Sequence, residues 1–432
     1  MAEEHPPSPM REDILFTLGR LRVKPAMTVR GEFIPPFKST LMDISIFLEP
    51  VPQKCFSEPF RPGKNTLGET ITIFRSEDEF PNLENVQLAL LGVKEERGAV
   101  DNKGCADGVD LVRKALYQLF DHWPQLNIID LGNIKVGKEI NDTYFAFNQV
   151  LTELLKNKIV PIVIGAGQDL TYTMYQVYEP TGKLINIAAV DPMFDIGNDQ
   201  EALNSHSYLS HIILQQPNFL FNFTNIGYQS YYVDTENIEL MKQLLFDAYR
   251  LGSVRDNIEL TEPLIRNANL LSFDIAAVRA ADAPGVRNAS PNGFNGEEAC
   301  RMTRYAGLSF KLSSIGFFEY NPHYDINSRT ANLIAEMIWY FIEGFSNRQD
   351  DIPTLESTDF KRYNVQIGEG QTDVVFLCHK ISGKWWMDMS FLQNDDQRLE
   401  RHHYIPCSKE DYDQAMHNEL PDKWWQFYQK LM

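Results

Sequence analysis

Between residues 84 and 350, short apolar runs alternate with stretches whose apolar residues recur every three or four positions. The runs at 86–93 (VQLALLGV), 127–131 (NIIDL), 159–164 (IVPIVI), 184–190 (LINIAAV), 225–227, 269–273 (NLLSF) and 311–317 read as strands. The stretches at 108–120, 141–157, 172–178, 236–250, from 296 and 329–345 read as helices. Strands that are apolar throughout, rather than on alternate positions, belong to a parallel sheet covered on both faces. The pattern therefore predicts a three-layer α/β/α domain over 84–350.

The alternation stops after 350. The segments 373–377 (DVVFL) and 385–389 (WWMDM) flank a Ser382-Gly383 turn and predict a hairpin, followed by one amphipathic helix over 409–431. Residues 351–432 are read as a small α+β addition. Residues 1–83 are read as a tail, disordered over 1–10, and a Pro-punctuated extension packed on the main body. Trp385, Trp386, Trp424 and Trp425 concentrate in the C-terminal part, so a protein-partner surface is expected there. The adjacent His402-His403 pair, placed on a strand, would point to opposite faces and chelate nothing.

Charge narrows the class of partner. Lys and Arg number 40 against 59 Asp and Glu, a formal net charge of −19, which excludes nucleic acid as the main partner. The five cysteines are scattered without CxxC spacing, so reduced thiols in a cytoplasmic protein are expected. No apolar stretch is long enough for membrane insertion.

In an open parallel sheet, ligands collect at the carboxyl ends of the strands. Acids stand at those ends: Asp169 after 159–164, Asp191 and Asp195 after 184–190, Asp274 after 269–273, and Glu319 after 311–317. Such a cluster demands a positive counterpart. The GAGQDL segment mimics a dinucleotide-binding glycine loop only in part, because Leu170 stands at its third glycine position.

The order of segments from about 85 to 348 resembles the ureohydrolase superfamily of arginase, agmatinase and formimidoylglutamase. In that family GGDHS, DAHxD and SxDxDxxDP segments hold two manganese ions. Gly165–Asp169 (GAGQD), Asp191–Asp195 (DPMFD) and Ser272–Ala276 (SFDIA) stand in their places. Asp130-Leu131-Gly132, 291–298 (PNGFNGEE) and Phe318–Pro322 (FEYNP) extend the match. The resemblance implies Glu298 as the acid that grips an amidine, His206 in the substrate-binding loop, and a homo-oligomer. His206 and His211 lack the family's motif context.

The departures fall on the metal ligands. Carried over by position, the ligands are Gln168, Asp191, Met193, Asp195, Asp274 and Ala276, so three of the six have lost their metal-binding type. Asp191, Asp195 and Asp274, with the Gln168 amide, would hold at most one Mn²⁺ or Mg²⁺; a thioether suits neither ion. The expected function is a degenerate ureohydrolase-like protein, without dimanganese hydrolysis, that binds or scaffolds. The alternative is a divergent metal-dependent hydrolase of a C–N bond in an amidino or guanidino compound. No catalytic residue is assignable on the first reading.

Overall fold

The computed structural model describes residues 43–56, 65–198, 201–354, 356–368, 372–392 and 397–431. The tail expected over 1–10 lies outside them. Two short strands, β1 (Leu48–Glu49) and β2 (Thr72–Ile73), precede the predicted series. The series itself is β3 (Leu88–Val93), β4 (Ile128–Ile134), β5 (Val160–Gly165), β6 (Ile185–Val190), β7 (Leu220–Tyr228), β8 (Asp247–Arg250), β9 (Leu270–Asp274) and β10 (Ser314–Phe318). They form one sheet in the order β1-β4-β3-β5-β10-β9-β6-β7-β8, with β2 also on β4. Only β1 pairs antiparallel.

The helices that matter for the site and its frame are α1 (Gly108–Leu116), α2 (Ile140–Lys156), α3 (Leu170–Gln176), α4 (Tyr208–Leu214), α5 (Gly296–Leu308) and α6 (Arg329–Ser346). Side chains on a strand alternate between faces. Leu88 and Leu90 therefore pack with α1, α5 and α6, whereas Ala89 and Leu91 pack with α2, α3 and α4. The three-layer expectation holds. The backbones of α5 and α6 touch: a methyl group added at Gly307 would sit 2.2 Å from the Phe341 carbonyl oxygen. The helix read over 236–250 ends at Gln243, and Leu245 turns at φ 57° into β8, which the pattern missed.

The C-terminal part carries a separate antiparallel sheet, β11 (Phe360–Ile367), β12 (Thr372–His379), β13 (Trp385–Asp388) and β14 (Tyr404–Cys407), in that order. The expected hairpin is β12–β13; β11 and β14 were not foreseen. The single helix expected over 409–431 is two, α7 (Lys409–Met416) and α8 (Asp422–Leu431), because Asn418 at φ 65° and Pro421 break it. His402 closes a 3-10 helix, not a strand, and its ring stacks on Phe221 at 3.9 Å.

This module docks on the amino ends of the large sheet, opposite the strand ends that carry the acids. Arg266, just before β9, donates to the Trp385 and Cys407 carbonyls at 3.1 and 3.2 Å and lies over the Trp386 ring. Lys384 pairs with Asp351 at 2.8 Å and donates to the Leu308 carbonyl just before β10. Lys430 of α8 enters a socket of Phe221, Phe246 and Phe427 and donates to Asn222 at the start of β7. Burial holds its ammonium down to about 8. Trp386 and Trp424 are buried, whereas Trp425 stays half-exposed. All five cysteines are free. No helix among the described residues is long and apolar enough to cross a membrane.

A buried ion pair anchors the opposite side of the sheet. Arg113 of α1 is fully buried and donates from Nε to Asp130 at 2.8 Å and from its other nitrogens to Asn133 and the Gly132 carbonyl. Tyr117 completes the shell of Asp130 at 2.7 Å. Arg113→Met should cost about 3–5 kcal/mol in urea unfolding, because it strands the Asp130 carboxylate without its cation. A loss below 1 kcal/mol would mean that the Arg113–Asp130 pair adds nothing net to stability.

Candidate functional site

Each acid is fixed by the turn that ends its strand. Asp191 follows β6, and its Oδ1 accepts the Met193 amide at 2.7 Å. Asp274 ends β9, and its Oδ1 accepts the Ala276 amide at 2.7 Å. Both bonds are side-chain-to-backbone turns that spend one carboxylate oxygen on the loop. The Met193 carbonyl is pinned by Asn225 of β7 at 2.6 Å. The loop then turns at Asp195, whose φ is 49° and whose buried carboxyl is electrostatically coupled to Asp191.

Glu319, with φ 66°, sits just past β10 and ties three segments together. Its Oε1 accepts the Gln168 amide at 2.8 Å and its Oε2 accepts Asn102 Nδ2 at 2.7 Å. Asn321 in turn donates to Asn102 Oδ1 at 2.9 Å. The Gln168 side chain donates to Tyr208 and Ser272 at 3.3 and 3.2 Å. Its amide nitrogen is therefore the end turned to these two partners.

These residues enclose a cavity of about 60 Å³. Gln168, Met193, Asp195, His206, Asp274 and Ala276 line it, so the structure brings these six residues to one space. Asp191 lies fully buried beside Met193 and Asp195. The wall is completed by Asn102, Arg287 and Glu319, among others. Arg287 was missed. It donates to the Asp101 carbonyl and pairs with the Asp101 carboxylate at 3.5 Å, with its guanidinium partly exposed at the mouth. The only signal for it was a basic residue in the loop after the third motif. Tyr208, Ser272 and Asn102 were missed because their roles are hydrogen bonds across distant segments, which leave no spacing pattern.

Two expected residues are elsewhere. Glu298 does not line the cavity: it exchanges capping bonds with Asn295 at 2.8 Å and faces Arg255 at 3.4 Å. The helix α5 needs an acceptor for its free first-turn amides, and Glu298 supplies half of that capping box. His211 reaches the Glu201 carbonyl at 3.0 Å and stacks edge-on against Tyr172. Asp169 is also turned away, accepting the Tyr144 hydroxyl at 2.7 Å. Its carboxylate fills space that a side chain at position 167 would need, 2.1 Å from where a Cβ on Gly167 would lie.

Burial dominates the electrostatics. It raises the carboxyls of Asp191, Asp195 and Asp274, and the repulsion of Asp191 raises the other two further. Asp169 and Glu319 are each pushed up to about 7, again first by burial. Asp191 and Asp195 therefore each favour the neutral form more than a solvated carboxyl does. Burial and the three aspartates raise the Tyr208 hydroxyl too, so it remains a neutral hydrogen-bonding group.

The family's two manganese ions do not fit this donor set. Among the described residues no three His, Cys, Asp or Glu side chains converge to hold a metal ion. The Met193 and Ala276 positions supply no hard ligand, and Asp191 and Asp274 each give one oxygen to a loop amide.

The raised carboxyls set a pH dependence of known sign. Asp169 binds a proton up to about pH 7 when folded but only to about 3.9 when unfolded. The folded state then holds more protons across that window, so its stability falls as pH rises from about 4 to 7. Asp169→Asn should melt higher than the parent at pH 8, with the gain gone at pH 5, in paired calorimetric scans. An equal shift at both pH values would show that Asp169 does not titrate in this window.

Comparison with known proteins places this arrangement. The family model described as Arginase family matches residues 86–343. Formimidoylglutamase of Staphylococcus haemolyticus is 26% identical over 298 residues, spanning 61% of this chain and 90% of the relative. Formimidoylglutamase of Staphylococcus aureus strain MSSA476 is 25% identical over 272 residues, spanning 59% and 86%. The fold is shared with Trypanosoma cruzi formiminoglutamase solved with Mn²⁺, at TM-score 0.58, 19% identity and coverage of 62% and 97%. It is shared with Bacillus subtilis formimidoylglutamase at TM-score 0.59, 15% identity and coverage of 67% and 96%. The match spans more than half of the chain and the sheet, strand-end motifs and cavity coincide with it: the chain belongs to the arginase family.

Proposed function

We propose that this chain is an arginase-family protein that binds a small ligand at its strand-end cavity and has lost dimanganese hydrolysis. One observation carries the reading. Gln168, Met193 and Ala276, which stand at three of the family's six ligand positions, line the same cavity as Asp195 and Asp274. These three positions bring an amide, a thioether and a methyl group to the cavity, which supports the reading. A two-ion centre works by lowering the pKa of a bound water to near neutrality. The chain's own carboxyls do not replace that nucleophile, because burial raises them.

What the residues do supply is a polar, water-poor recess. Asp195 and Asp274 present acceptors, Gln168 and Asn102 are held by Glu319, and Met193 and Ala276 form an apolar wall. Residues 84–350 are proposed to form this binding domain, with 1–83 as its extension and 351–432 as the appended module. A second reading is favoured by the named relatives: hydrolysis of a C–N bond in an amidino compound such as formimidoylglutamate, with one Mn²⁺ or Mg²⁺ on the three aspartates.

Metal counting separates the two. The purified chain is loaded with Mn²⁺, freed of excess ion, and assayed for metal and for hydrolysis of formimidoylglutamate, arginine and agmatine. Near zero metal per chain and no product is the expected result. About one ion with turnover would establish the second reading, and about two would overturn the ligand argument.

A further inference from the structure

The two sheets protect their outer strands unequally. The large sheet ends in β1 and β8, which are two and four residues long. In the C-terminal module β14 is four residues long, and Arg266 donates to its Cys407 carbonyl. Short and covered outer strands are ordinary defences against pairing with another chain. The other outer strand of the module, β11, has neither defence. It runs for eight residues, pairs with β12 at each of them without a bulge, and contains no proline.

One bond fixes which backbone groups of β11 point away from β12. The Lys380 amide donates to the Asp359 carbonyl at 2.9 Å, so these two residues form a hydrogen-bonded pair. Such pairs recur at every second residue of an antiparallel ladder. Lys361, Tyr363, Val365 and Ile367 therefore bond β12, whereas Phe360, Arg362, Asn364 and Gln366 turn their amides and carbonyls outward. Among the described residues, no hydrogen bond reaches those outward groups.

The order of side chains along β11 makes the strand complementary to itself. An antiparallel partner must set its own outward residues opposite these. A second β11 does so about a two-fold axis at Tyr363. Phe360 then meets Gln366 of the second copy, Arg362 meets its Asn364, and Lys361 meets its Val365. No two like charges oppose in this register, although the strand carries Lys361 and Arg362 and no acid. Sliding the partner by one hydrogen-bonding step sets Arg362 against Arg362, which is unfavourable. The two-fold register at Tyr363 is therefore preferred.

We propose that β11 pairs with β11 of a second copy, joining two four-stranded sheets into one. The strand lies outside residues 86–343, which match the family model, so the contact belongs to the added module. None of the module's described residues lines the strand-end cavity, so the pairing is independent of what that cavity binds.

Sedimentation of the full chain over a concentration series is the test. A strand-edge contact is small beside a permanent interface, so the 49.7 kDa chain should associate reversibly in the micromolar range. Asn364→Pro removes an outward amide and no bond to β12, and should weaken association about tenfold or more. Two further variants read the register, because Asn364 faces Arg362 of the second copy. Asn364→Asp should tighten association roughly threefold, and Asn364→Lys should weaken it by about as much. Asn364 is exposed, so these two variants decide the matter if the proline variant fails to fold. The proposal is overturned if the chain is monomeric at every concentration, or if copies associate with an affinity that none of the three variants moves. It is equally overturned if the aspartate and lysine variants shift association in the same direction.

Discussion

A parallel sheet aims the ends of its strands at one edge, and here that edge is crowded with buried carboxyls. Negative charge cannot remain there unpaid by hydrogen bonds, protons or a partner cation. Much of the local structure follows from that constraint. Asp191 and Asp274 each fold one oxygen back onto a loop amide, and Glu319 places both of its oxygens on N–H donors. Asp169 takes a tyrosine hydroxyl, and Asp195 leans on Asp191. Burial then raises the carboxyls, so that protons neutralise what hydrogen bonds do not.

The cations of the fold are spent elsewhere. Arg113 is locked to Asp130 and its neighbours, while Arg266, Lys384 and Lys430 fasten the C-terminal module to the amino edge of the sheet. Among the described residues, none of the module lines the cavity. Its tryptophans are divided by the same logic. Trp386 and Trp424 are consumed by docking and by the module's own core, and only Trp425 keeps a half-exposed face. Loss of a latch at one edge and loss of charge at the other are physically separate events.

The central strands of the sheet were legible because they are buried on both faces and mostly apolar, a pattern that survives details of packing. The small module was legible only in its central hairpin. In β11 the exposed and half-buried residues, such as Lys361, Arg362 and Asn364, hide the period that makes a strand recognisable, and β14 is four residues long. The site divides in the same way. Residues at the first turn after a strand, such as Asp191 and Asp274, are placed by chain geometry alone. Glu298 also stood in a recognisable segment, but its side chain answered a nearer demand, the bare amides at the start of α5. Arg287 and Asn102 reach the cavity from separate segments, Tyr208 bonds Gln168 behind it, and only the folded chain brings them together.

Replacement of metal ligands in this family's frame is then a question of what the frame does with the charge left behind. The departures are coordinated in chemistry: an amide at 168, a thioether at 193 and a methyl at 276 each remove a ligand without adding a charge. Had the acids at 191, 195 and 274 also become neutral, the cavity would be an apolar void and the fold would gain stability by shedding buried carboxyls. They are retained, together with the Glu319 web that holds the loops around them. The costly half of the strand-end site is thus kept, its buried carboxyls met by loop amides, by protons and by the Glu319 web.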